Sequence, residues 1–178
     1  MAGSTGTEKA TFAGGCFWGL EKYFGEVEGV TATRVGYTGG HLKKPSYEAV
    51  CTGLTGHAEA IEVTYDPSRT SYEEMVIFFF THHDPTQLNR QGNDIGTQYR
   101  SAVFYHSAAQ KEAAQKAIEA LDRAGVLKRP VVTTLEPAGE FYAAEEYHQK
   151  YLKKNPGGYC LIVPQPQKVE DVLRKAFK

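Results

Sequence analysis

Cys16, in the run Gly14-Gly15-Cys16-Phe17-Trp18-Gly19, has the setting of a nucleophile. The apolar residues 10–13 before it read as a strand, and residues 20–24 after it read as a helix. The two glycines let the backbone turn sharply between them. Cys16 then falls at or near the first helical residue, where unpaired N–H groups and the helix dipole favour a thiolate. This predicts a lowered thiol pKa and high reactivity at neutral pH. The alternative for these six residues is a buried, inert cysteine with Phe17 and Trp18 as core. Glu59 is the second candidate. It shares a strand face with Ile61, Val63 and Tyr65, while Glu62 and Thr64 occupy the other face. A carboxyl at the head of an apolar row is partly desolvated, stays protonated toward neutral pH and can act as a general acid. The competing reading is a glutamate at a strand mouth, paired with a lysine or arginine. Cys160 ends Asn155-Pro156-Gly157-Gly158-Tyr159, a stretch that breaks regular structure. From such a segment a resolving thiol could reach a second cysteine. His82-His83-Asp84 has metal-binding residue types, but adjacent histidines diverge. It reads instead as a helix C-terminus with His near the dipole's negative end, and no metal site is expected.

The chain of 178 residues is 41% hydrophobic, which suits one domain with a sizeable core. Its formal net charge is −1, without long runs of like charge, so no nucleic-acid or acidic-membrane footprint is expected. The longest apolar run, 75–80, is far too short to span a bilayer. The first seven residues are small and polar, without the apolar region of a secretory signal, and the expected location is cytoplasmic. Three cysteines with no Cys-x-x-Cys indicate neither a disulfide scaffold nor a zinc knuckle. Reactive thiols are the better reading.

The elements needed to position these groups can be laid out in order. Residues 1–8 are a lead-in. Strands are expected at 9–13, 30–37, 58–65 and 101–105, with helices at 16–26 and 71–82. The second helix carries a capping-box pattern at Thr70–Glu73. A single helical turn is expected at 46–50, and a long polar loop, functional or merely connecting, at 85–99. This β-α-β-β-α-β order predicts an α+β fold, a ferredoxin-like split βαβ two-layer sandwich. A third helix follows, capped by Ser107 and Gln110 and stopped at Gly125. A fifth strand is expected at 131–136 and a further helix at 141–152. A C-terminal tail, 161–178, ends in a small amphipathic helix carrying Val169, Val172, Leu173 and Ala176.

Taken together, the motifs resemble those of the type A peptide methionine sulfoxide reductases. They are Gly-Cys-Phe-Trp-Gly (15–19), Gly-Tyr-Thr-Gly-Gly (36–40), Gly-His-Ala-Glu (56–59), His-Asp-Pro (83–85), the Arg-Gln-Gly-Asn-Asp and Gly-Thr-Gln-Tyr-Arg-Ser pair (90–101), and Glu-Tyr-His-Gln-Lys-Tyr-Leu (146–152) ahead of Asn-Pro-Gly-Gly-Tyr-Cys (155–160). The resemblance covers about residues 9–160, nearly the whole body. It implies reduction of the S epimer of methionine sulfoxide, protein-bound or free. Cys16 would attack the sulfoxide sulfur and Glu59 would protonate its oxygen. Tyr47 and Tyr99 would act as phenol donors. Asp94 and Gly15 would serve substrate binding, and Phe17 with Trp18 would form a slot for the methyl group. Cys16 would become a sulfenic acid, condense with Cys160 to a disulfide, and be regenerated by thioredoxin, or by dithiothreitol in vitro, with no cofactor. A monomer is expected, with thioredoxin and oxidised proteins as partners. Some family members carry a further cysteine beyond the position of Cys160, whereas the tail here has none. Cys51, in a possible packed turn, is expected to be structural.

Two other readings compete. In a cysteine acyl-transfer enzyme His57 would serve as base, which leaves Glu59 without a role. In a redox sensor Cys16 and Cys160 would form a regulatory disulfide. Neither accounts for Phe17-Trp18 together with Glu59.

Overall fold

A mixed six-stranded sheet carries the molecule, and one of its two central strands bears Glu59. The computed structural model describes residues 6–160 and 162–178. Residues 1–5 of the expected lead-in, and Leu161 of the expected tail, lie outside the described residues. β1 (Glu8–Ala13) already takes in the end of that lead-in, because Glu8 pairs with Tyr65. The strands β2 (Val30–Thr38), β3 (Ala58–Tyr65) and β6 (Ala102–Tyr105) lie within a residue of expectation. β7 (Thr134–Pro137) and β8 (Tyr142–Ala143) add the two edges, giving the order β7-β6-β1-β3-β2-β8. Neighbours run antiparallel except β6 and β7, which are parallel.

Side-chain alternation on β1 and β3 divides the core. Ala10, Phe12, Ile61, Val63 and Tyr65 face a layer of helices, while Ala13, Ala58 and Ala60 face the other side with Ala102 and Phe104. The helical layer comprises α1 (Phe17–Phe24), α3 (Tyr72–Thr81), α4 (Ala108–Ala124) and α6 (Gln167–Ala176). Leu20, Phe24, Met75, Phe79, Ala114, Ala117, Leu121, Val169 and Leu173 enter one buried cluster. α4 starts and stops where its caps direct. The Ser107 hydroxyl accepts from the Gln110 N–H, and Gly125 ends the helix in the left-handed conformation. The C-terminal stripe docks α6 on α3 and α4 through Val169 and Leu173.

Four expectations need correction. α1 ends at Phe24, and Gly25 to Glu28 form a tightened turn instead of a last helical turn. α3 is capped by Ser71, which accepts from Glu74 N, not by Thr70. Residues 85–99 are not structureless: β4 (Arg90–Gln91) and β5 (Asp94–Ile95) form a small hairpin, followed by a 3-10 turn at Thr97–Tyr99. Val131 and Val132 precede β7 instead of opening it, because their amides bond to Asp122 Oδ1 and to the Pro85 carbonyl.

The largest departure is at 141–152, where a helix was expected. The segment is a strap made of β8, a 3-10 turn at Glu146–His148 and a short helix, α5 (Tyr151–Lys154). Its polar side chains bind remote groups and leave nothing for a helix. Gln149 accepts from Val35 N and donates to the Val35 and Ala144 carbonyls. The buried Glu21 accepts from the Lys150 amide at 2.7 Å, and Lys150 adopts a positive φ of 55°. Gly36 permits this approach, since a Cβ there would lie 2.3 Å from the Tyr142 carbonyl oxygen.

Candidate active site

The turn between β1 and α1 places Cys16 at the N-cap of α1, in extended conformation. Gly15 has φ +93°, a conformation L side chains rarely adopt, and a Cβ there would meet Gln91 Cγ at 2.8 Å. A Cβ on Gly14 would meet the His83 ring at 2.9 Å. His83 and Gln91 therefore wall the turn. The His83 ring is fixed in one tautomer: Nδ1–H donates to the Phe79 carbonyl at 2.6 Å, and Nε2 accepts from Ser101 at 2.7 Å. Complete burial lowers its pKa to about 4, so it stays neutral. Gln91 accepts from Asp84 N and donates to the Asp84 carbonyl. The His-Asp-Pro and Arg-Gln-Gly motifs thus support the cysteine turn from behind.

Glu59 lies beneath this turn, 1% exposed, and accepts from Phe17 N at 3.3 Å. Burial raises its pKa to about 8, against the Phe17 N–H, which lowers it. The carboxyl expected to be protonated here therefore keeps its proton at neutral pH, and among the described residues no lysine or arginine pairs with it, Lys9 and Arg34 pairing with Glu62 instead. Cys16 departs from expectation. Its thiol is pushed well above the ordinary value, first by burial and then by Glu59, and the backbone N–H of Trp18 only partly offsets this. The helix-end N–H is in place, but desolvation outweighs it.

Around this pair, Tyr47 opens α2 (Tyr47–Cys51), Tyr99 ends the 3-10 turn, and Asp94 lies on β5, all three half-buried. Burial and then Glu59 raise both phenols, and Tyr99 also senses Tyr47 and Asp94. Burial raises Asp94, while the Tyr159 hydroxyl, donating to Asp94 Oδ2 at 3.3 Å, lowers it. Cys160, next to Tyr159, is exposed, a free thiol, and close enough to Cys16 to affect it electrostatically. The residues expected from scattered motifs are therefore gathered at one place.

Phe17 and Trp18 are less free than a slot-forming pair would be. Phe17 is fully buried against Tyr37 and His148. Trp18 stacks on Tyr151 at 3.8 Å and donates its indole N–H to His148 Nδ1 at 3.0 Å. Cys51 is exposed, not packed as expected. His57 is unavailable as a base, since Nδ1 accepts from Gly40 N and Nε2 donates to the Leu42 carbonyl. His82 caps α3, its ring Nδ1 meeting the Phe78 carbonyl. Glu21, Glu145, His148 and Gln149 are site supports that the sequence reading missed as such. His148 and Gln149 stand in the 146–152 motif and Glu145 in the polar stretch 145–150, whereas nothing marked Glu21. A cavity of about 380 Å³ between α1, β2 and α5 has Trp18 in its wall but neither Cys16 nor Glu59.

A family model described as peptide methionine sulfoxide reductase matches residues 8–178. The chain belongs to that family. It is an oxidoreductase that reduces methionine sulfoxide. The peptide methionine sulfoxide reductase of Methanothermobacter thermautotrophicus is 56% identical over 156 residues, which cover 88% of this chain and 92% of the relative. Among solved structures, methionine sulfoxide reductase A of Corynebacterium diphtheriae superposes with a TM-score of 0.78 at 41% identity, covering 93% and 86% of the two chains. Mxr1 of Saccharomyces cerevisiae, in complex with Trx2, gives a TM-score of 0.57 at 25% identity, covering 90% and 91%.

Proposed function

We propose that this reductase acts on the S epimer of protein-bound and free methionine sulfoxide through Cys16, Glu59 and Cys160. The observation that carries the reading is the buried, protonated Glu59 carboxyl held under the Cys16 turn. At neutral pH both groups keep their protons, so the resting site carries no charge on them. A sulfoxide sulfur accepts a nucleophile only as its oxygen is protonated. Glu59 gives its proton to that oxygen and takes the Cys16 proton in its place while Sγ bonds to the sulfoxide sulfur. Tyr47 and Tyr99, raised phenols and hence good proton-retaining donors, hold the oxygen. Gly15 serves substrate binding through the turn that presents Cys16, Asp94 binds substrate main chain or water, and the partly exposed Trp18 ring, backed by the buried Phe17, receives the methyl group.

Transfer of the oxygen releases methionine, reduced by two electrons, and leaves Cys16 as a sulfenic acid, oxidised by two. The Cys160 thiol attacks it, the S–S bond forms and water leaves. Thioredoxin, or dithiothreitol in vitro, then reduces the disulfide. Support for thioredoxin comes from Mxr1 in complex with Trx2. The same reading takes the chain as one domain, a cytoplasmic monomer. It also takes the fold as a ferredoxin-like split βαβ sandwich, and the antiparallel core order β6-β1-β3-β2 supports this.

Dabsyl-Met-S-sulfoxide and dabsyl-Met-R-sulfoxide, offered with dithiothreitol to wild type and Cys16→Ser, test this. Reduction of the S form alone, lost in Cys16→Ser, is expected. Turnover of the R form, or persistence in Cys16→Ser, would overturn the assignment. Cys160→Ser is expected to give one methionine per chain and then stop with thioredoxin.

A further inference from the structure

α2 is only five residues long, too short to hold its own shape. It nevertheless presents Tyr47, its first residue, to the Cys16–Glu59 pair. Inside the element, Ser46 Oγ accepts from Ala49 N at 3.1 Å, and Val50 is the single fully buried side chain. The remaining hold comes from the strap. Glu145 Oε2 accepts from the Tyr47 backbone N–H at 2.9 Å, and Glu145 Oε1 accepts from the Tyr37 hydroxyl at 2.9 Å. Tyr37 is fully buried on β2 and is the register partner of Glu59 on β3. One carboxylate therefore ties the strand neighbour of the acid to the amide of the residue carrying the phenol.

We propose that Glu145 is a positioning residue for sulfoxide reduction, holding Tyr47 in place beside Glu59 and Cys16 through the Tyr37–Glu145–Tyr47 bridge. This rests on Tyr47 serving as a donor to the sulfoxide oxygen. Glu145 itself touches neither substrate nor the reacting atoms. It is suited to the task as an anion. Burial works to raise its pKa, but the Tyr47 N–H, its own backbone N–H, the Tyr37 hydroxyl and His148 together outweigh burial and keep it below the ordinary carboxylate value. Charge-assisted bonds of this kind are roughly twice as strong as neutral ones. The strap is itself fixed at both sides of Glu145, by β8 on β2 and by Gln149 on Val35, so the bridge has a rigid base.

The test is a rapid-quench first turnover of dabsyl-Met-S-sulfoxide without reductant, on wild type, Glu145→Ala, Glu145→Gln, Tyr47→Phe and Glu145→Ala/Tyr47→Phe. Glu145→Ala is expected to slow methionine release about tenfold or more through misplacement of Tyr47. Glu145→Gln should recover most of the rate, since its amide oxygen can still accept from Tyr47 N. The double variant should be no slower than Tyr47→Phe, within about twofold, because both changes remove the same contribution. Multiplying losses in the double variant, or a wild-type rate in Glu145→Ala or in Tyr47→Phe, would overturn the proposal. Hydrogen exchange supplies a readout that does not depend on turnover. The Tyr47 amide should lose protection in Glu145→Ala while amides of α3 keep theirs, and an unchanged Tyr47 amide would count against the bridge. If Glu145→Ala does not fold, Tyr37→Phe removes one arm only, with a smaller loss expected in wild type and none in Tyr47→Phe. Wild type that reduces neither epimer would instead sink the functional reading, and the role of Glu145 with it.

Discussion

Replacing Glu59 by Gln should stabilise the fold at high pH while disabling the chemistry. In the folded chain the carboxyl titrates at about 8, against an ordinary 4.5. Between those values the folded chain retains a proton that the unfolded chain has released. The proton-linked stability is thus complete below about pH 4.5 and is lost as pH rises through about 8. At about 1.4 kcal/mol for each tenfold change in proton affinity, the full span is roughly 5 kcal/mol, an upper figure because water entering the site softens the desolvation. Glu59→Gln keeps an oxygen for the Phe17 N–H and carries no ionisable group. Urea unfolding of both proteins from pH 5 to 9 reads the effect as a difference, so His83 and the cysteines, present in both, largely cancel. The variant should match wild type near pH 5 and gain on it by up to about 1.4 kcal/mol per pH unit toward pH 8. First-turnover reduction of the S-sulfoxide should meanwhile fall by about 10²- to 10⁴-fold, the usual contribution of a positioned acid. A stability difference that stays flat across pH 5–9 would refute the reasoning, because Glu59 would then not be held protonated by burial.

The remaining predictions concern the cysteine turn. Gly15→Ala would force a side chain into φ +93° and against Gln91. A loss of about 1–3 kcal/mol in urea unfolding is expected, together with slower first turnover. Because burial holds the Cys16 thiol protonated, iodoacetamide at pH 7.5 should modify it more slowly than exposed Cys51 and Cys160. Peptide mapping by mass spectrometry gives the order, and Cys16 reacting first would contradict the structure.

Where one residue's neighbours dictate its surroundings, the sequence was legible. The strict two-residue period of β3 put Glu59 among Ile61, Val63 and Tyr65, and burial with a raised carboxyl pKa followed. Ser107, Gln110 and Gly125 fixed α4 because caps act within a single turn. Thr70 and Ser71 offer the same hydroxyl chemistry one residue apart, so the start of α3 was ambiguous by that one residue. Motif residues could be gathered by their resemblance, yet the state of Cys16 could not. Its N–H environment is local and was read correctly, whereas the burial that outweighs it depends on distant segments folded over α1.

The strap shows why the remainder was hidden. Residues 141–152 have helix-forming composition, and nothing in their spacing marks Glu145, His148, Gln149 and Lys150 as ligands of Tyr47, Trp18, Val35 and Glu21. Helical propensity is worth a few tenths of a kcal/mol per residue, whereas a hydrogen bond to a charged group contributes about 1.5–3 kcal/mol and a neutral one about 0.5–1.5 kcal/mol. Carboxylate bonds at Glu145 and Lys150, with the neutral bonds of His148 and Gln149, fall within six residues and together override propensity. The same contacts tie the strap to α1, β2 and α2 at once, the elements that carry Trp18, Tyr37 and Tyr47. A segment that abandons its own secondary structure to set three others is legible only when those others are already in place.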